Sequence, residues 1–71
     1  MNLDQYSNEQ LWQLLVDSVH TMVMYPTHKA YIRASILPSE PDVSAAELSQ
    51  RLGMSLGEAL VILGELLAEN K

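Results

Sequence analysis

Two histidines, His20 and His28, straddle Pro26 and are the first side chains to weigh for chemistry. A zinc site needs further ligands at defined spacing, and a chain without cysteine has no thiolate to supply them. Asp17 and His20, three residues apart, can share a hydrogen bond on one helix face. Without a nucleophile in a cleft such a pair is not a catalytic dyad. The sequence carries neither a glycine-rich phosphate loop nor a paired-carboxylate motif. These residues predict no enzyme, no metal and no cofactor.

Lys29, Arg33 and Arg51 are the internal cations and the candidates for phosphate contacts. Lys29 and Arg33 fall four apart on one exposed face, while Glu47 precedes Arg51 at the spacing that favours a helical ion pair. Nine acidic residues against four basic ones give a net charge of −5. That balance argues against a dominant nucleic-acid surface, whose affinity rests on Lys and Arg neutralising phosphates. It equally disfavours anionic membranes. No basic segment precedes an apolar run at the N-terminus, and no apolar run reaches the roughly 18 residues needed to span a bilayer. A cytoplasmic protein is expected.

The elements that must position these side chains are helices. Ser7 with Gln10 forms a capping box, and the chain then reads helical to about Met24. Leu11, Trp12, Leu14, Leu15, Val16, Val19, Met22 and Val23 fill an arc of roughly 200°, wider than one packing contact requires. Tyr25-Pro26-Thr27 breaks the pattern, and a second helix is expected from about Thr27 to Leu37. Pro38 to Asp42 is a loop bracketed by prolines. Ser44 with Glu47 and Ser55 with Glu58 are two further capping boxes, and Gly53 stands where a left-handed helix terminator is wanted. They predict helices over about Ala45–Leu52 and Leu56–Glu69. No run alternates with period two. With 71 residues there is room for one core. The expectation is an all-α, four-helix single domain, residues 1–71, with an N-terminal helix in 1–25 and a trihelical core in 26–71.

The pattern Ala46-Glu47-Leu48, then Leu52-Gly53-Met54-Ser55, then Ala59, Leu63 and Leu66-Leu67 resembles the helix-turn-helix core of winged-helix regulators. The resemblance covers Pro26 to Lys71 and implies three packed helices, but the chain ends where the β-hairpin wing would begin. Helix-turn-helix proteins read bases with Arg, Lys, Asn or Gln near the start of the recognition helix. Here those positions hold Leu56, Gly57, Glu58, Ala59 and Val61.

In the last helix Leu56, Ala59, Leu60, Ile62, Leu63, Leu66 and Leu67 form one arc, expected to supply the intrachain core. Beside it runs a strip of Gly57, Val61, Gly64 and Ala68, with Glu58, Glu65 and Glu69 on its border. Two glycines inside a helix, each costing about 1 kcal/mol relative to alanine, imply a helix approaching closely. That helix is either the N-terminal one, with Trp12 or Val16 over the glycines, or one from a second chain. The expected interface is Trp12, Val16, Val19 and Val23 with Gly57, Val61, Gly64 and Ala68. A short chain lacking disulfides commonly gains stability by association. The function expected is a non-enzymatic interaction or dimerisation module, binding itself as a homodimer or another protein. The alternative is a small winged-helix-type DNA-binding regulator using Lys29 and Arg33.

Overall fold

The computed structural model describes residues 7–69; Lys71, the end of the winged-helix resemblance, lies outside them. Within them the fold is all-α. Helix α1 spans Asn8–His20, α2 Tyr25–Tyr31, α3 Ala45–Leu52 and α4 Leu56–Glu69. No helix among the described residues is long and apolar enough to cross a membrane.

Helix α1 starts on a complete capping box: Gln10 N–H donates to the Ser7 hydroxyl at 3.1 Å, and Ser7 N–H donates to the Gln10 side chain at 2.8 Å. It ends at His20 rather than Met24. The Thr21 hydroxyl donates to the Ser18 carbonyl at 2.7 Å, and the Thr21 and Met22 amides close short turns onto Ser18 and Val19. Tyr25-Pro26 therefore opens α2 instead of interrupting a helix. Proline suits that first turn, where its missing N–H would have no partner anyway. The continuation to Leu37 is not a plain α-helix. Ile32–Ile36 forms a π-helical turn, closed by Leu37 N–H on the Ile32 carbonyl at 2.9 Å. Ile32 and Ile36 at its two ends are buried, whereas Arg33, Ala34 and Ser35 between them face out.

Ser44 caps α3 by accepting from Glu47 N–H at 3.1 Å. Gly53 ends that helix at φ 70°, a left-handed conformation that costs an L-residue with a Cβ. The three-residue turn that follows is fastened by the Ser49 hydroxyl, which donates to the Met54 carbonyl at 2.7 Å. The Met54 side chain is buried beneath the turn. Ser55 then accepts from Glu58 N–H at 3.1 Å to start α4.

The main core consists of Ile32, Ile36, Leu48, Met54, Ala59, Ile62 and Leu66, drawn from the π turn after α2, α3, the turn and α4. Helix α1 contributes nothing to that cluster. It attaches to α4 separately, and Val19 is its one buried residue.

Candidate protein interface

Helix α4 is rotated from the expected orientation. Glu58, expected at a solvated border, is only 4% exposed. Its carboxylate meets Nδ1 of His28 at 2.5 Å, so it does not complete the Ser55 capping box. Glu65, half-buried, accepts from the Tyr25 hydroxyl at 2.5 Å and lies 2.7 Å from Nε2 of His20 and 3.3 Å from Lys29. Glu69 bonds both Lys29 and Arg33 at 2.8 Å. The three glutamates thus form a ladder of polar contacts running from the end of α1 along α2 into the π turn.

Burial pushes the Tyr25 hydroxyl above its ordinary range, and the bond to Glu65 adds to that. Burial also opposes ionisation of Glu65, but bonds from Tyr25, His20 and Lys29 outweigh it and hold the carboxyl below its usual value. The Lys29 bond lowers Glu69 against the opposing effect of burial, and the Arg33 bond adds to the lowering. Glu69 in turn raises Lys29 well above the usual lysine range, against burial and with help from Tyr25 and Glu65.

Turning the glutamates inward turns leucines outward. Leu56, Leu60 and Leu67, expected in the core, are 51%, 44% and 55% exposed, and Leu63 between them is half-buried. The buried positions of α4 are instead Glu58, Ala59, Val61, Ile62 and Leu66. A helical wheel gives the width of an apolar arc but not which neighbours will grip it. Here the imidazole, phenol and ammonium groups of α2 satisfy carboxylates that would otherwise be costly to bury, and this fixes the rotation.

The two glycines of the strip lie against the chain's own α1. A Cβ built on Gly64 would lie 3.5 Å from the Trp12 ring, and one on Gly57 would lie 3.0 Å from Cδ1 of Leu15. Leu15, rather than Val16, is therefore the second residue over the glycines. Val19 and Val61 are fully buried within the chain and cannot meet a partner. Val16 is half-buried, while Ala68 and Gly64 are exposed. Trp12 keeps 43% of its surface exposed, and Val23, in the turn after α1, is 90% exposed. Of the eight expected interface residues, only Trp12, Val23, Gly64 and Ala68 present substantial surface. The leucines of α4 were missed, although their four-three-four spacing is visible in the sequence.

The candidate phosphate contacts are all engaged internally. Lys29 and Arg33 hold Glu69, and Arg51 pairs with Glu40 at 2.9 Å rather than with Glu47. His20 bonds Glu65 instead of Asp17, which accepts from Gln13 at 2.9 Å. A shallow hollow of about 300 Å³ sits over the α2–α3 loop, lined by Ser39, Glu40, Pro41, Asp42, Val43 and Glu47. Its lining offers carboxylates but no imidazole or thiol to form a nucleophile–base pair. Compared with known proteins, the chain matches no family model, no curated protein and no solved structure.

Proposed function

We propose that this chain is a non-enzymatic protein-interaction module of the cytoplasm that receives a helix on the outer face of α4. The observation that carries the reading is the row of half-exposed leucines, Leu56, Leu60 and Leu67, on a helix whose Glu58 and Glu65 carboxylates are turned toward α2. Completing the burial of one leucine side chain is worth about 1 kcal/mol, half of what full burial gives. Contiguous apolar surface of this kind marks interaction sites. The trihelical part, α2 to α4, resembles a winged-helix core used for docking rather than for base reading. A DNA-reading role gains no support from cations that are already paired.

A photo-reactive residue at position 60, introduced in cells, tests the proposal. It should yield covalent adducts with a protein, lost when Leu56 and Leu67 are changed to glutamate. The same probe at exposed Gln13 should yield none. Equal labelling at the two positions would sink the docking reading. Tight, salt-sensitive binding of duplex DNA by the pure chain would favour the regulator instead.

A further inference from the structure

We infer that residues 21–24 are a hinge through which two copies of the chain exchange their α1 helices. In the exchanged form α1 runs on into α2 as one kinked helix, and it lies on α4 of the second copy. The exchanged contact is the one already formed within each chain. This inference therefore stands apart from the docking reading on Leu56, Leu60 and Leu67.

The break between α1 and α2 lacks the devices that hold the break between α3 and α4. There Gly53 turns left-handed at φ 70° and the Ser55 hydroxyl caps the next helix. At the end of α1, by contrast, Thr21 lies at φ −88°, ψ −7°, and Met24 before α2 lies at φ −87°, ψ −4°. Both are right-handed, about 35° in ψ from ordinary helical values. Met24 offers no side-chain cap, and no residue of the turn takes a positive φ. Nothing local marks a helix stop here except Pro26.

The closed turn also leaves apolar surface uncovered. Met22, Val23 and Met24 are 38%, 90% and 49% exposed. Val23 follows Val16 and Val19 by seven and four residues, so a continuous helix carries the apolar stripe of α1 through the hinge. Where two such helices cross at a two-fold axis, each hinge covers the valine and methionines of the other. Exchange of an identical element is a low-cost route to a dimer for this reason, and a short connection invites it.

The fit now present in the chain selects the occupant of the vacated groove. Trp12 lies over Gly64 and Leu15 over Gly57. Val19 and Val61, sealed in the closed chain, become accessible only when α1 leaves. Helix α1 has no part in the main core and packs mostly on α4, so a second copy offers it nearly the same contacts. Pro26 opposes the change, because in a fused helix its ring meets the Met22 carbonyl. It keeps the exchanged form minor and sets the kink.

The chain has no native cysteine, so one engineered pair reads the exchange directly. With Leu15→Cys and Gly57→Cys in the same whole chain, the disulfide closes within a monomer or, after exchange, joins two chains. Denaturing gels without reductant tell these apart, after incubation near the melting midpoint to let helices exchange. At about 1 mM the parent should give a minor fraction of linked chains. Pro26 is exposed, so Pro26→Ala should keep the closed fold by circular dichroism. Without the proline penalty, its dimer should be at least about a hundredfold tighter by sedimentation equilibrium. Adding Val23→Asp, at a position exposed in the closed form, should weaken that dimer at least about tenfold. Leu60→Glu, on the docking face, should leave it unchanged. No linked chains from the parent, or a Pro26→Ala chain still monomeric at about 1 mM, would overturn the inference. So would a dimer whose disulfides all close within single chains, or one lost with Leu60→Glu and indifferent to Val23→Asp. None of these results touches capture of a partner by the probe at position 60, so the two readings fail separately.

Discussion

Nδ1 of His28 lies 2.5 Å from a carboxylate oxygen of Glu58, tying α2 to the first turn of α4 across thirty residues of sequence. Both side chains are largely withdrawn from water, at 17% and 6% exposure. A pair of this kind is costly to break from one side, because the group left behind stays buried without its partner.

His28→Ala leaves the Glu58 carboxylate buried without its hydrogen-bond partner and should destabilise the fold by about 1–3 kcal/mol. Glu58→Gln keeps a hydrogen-bonding group in place and should cost about 1 kcal/mol. Urea denaturation compares them directly. Equal, small losses for both would mean that the contact contributes little.

The ladder also fixes how stability depends on pH. Glu65 and Glu69 are held below the ordinary carboxyl value, so their contribution is complete above the unfolded value, about pH 4.3, and is lost as pH falls through their lower folded values. Tyr25 and Lys29 are raised, so their contribution is complete below about pH 10 and is lost above it. Denaturation midpoints should fall on both sides of a neutral plateau. Glu65→Gln should lower the plateau and flatten the acid limb. An unchanged acid limb in that variant would show that Glu65 is not a source of the acid sensitivity.

Gly53 tests the turn between α3 and α4. A Cβ there would meet no atom within 4 Å, so the restriction lies in the φ of 70° alone. Gly53→Ala should cost about 1–2 kcal/mol, the penalty of the left-handed conformation. Gly53→Asn should cost less, because asparagine tolerates that region. The two melting temperatures give the order, and alanine melting at or above the parent would contradict it.

The local signals of the chain were legible because each is decided within a few residues. Ser7 with Gln10 forms its full capping box, Gly53 ends α3, and Ser44 and Ser55 cap α3 and α4, although neither Glu47 nor Glu58 returns the reciprocal bond that their spacing predicts. The rotation of α4 was not legible. It depends on His28, Tyr25 and Lys29 reaching carboxylates thirty to forty positions away, and the Tyr25 hydroxyl meets Glu65 over forty residues. Period alone treats Leu60 and Ile62 as equals on one apolar arc, although one is exposed and the other fully buried. The end of α1 was misplaced for a related reason. Met22 and Val23 prolong the apolar arc, yet Val23 is almost fully exposed in a turn.

The glycines of α4 support a sharper test, because their surroundings differ. At Gly64 an added methyl would lie 3.5 Å from the Trp12 ring, an ordinary contact, on a side open to solvent. Gly64→Ala should therefore recover most of the helix-propensity gain, about 1 kcal/mol. At Gly57 the methyl would lie 3.0 Å from Cδ1 of Leu15, so that half-buried side chain must shift by a few tenths of an ångström. Gly57→Ala should gain less than Gly64→Ala, or lose stability where Leu15 resists. Leucine at position 64 is a different case. Its larger side chain competes with Trp12 for the same place, so Gly64→Leu should expose the indole and shift its fluorescence to the red. Thermal melts with tryptophan emission separate the three variants. The expected order of stability places Gly64→Ala above the parent and above Gly57→Ala. If all three melt higher with unaltered emission, α1 does not sit on the glycine face in solution.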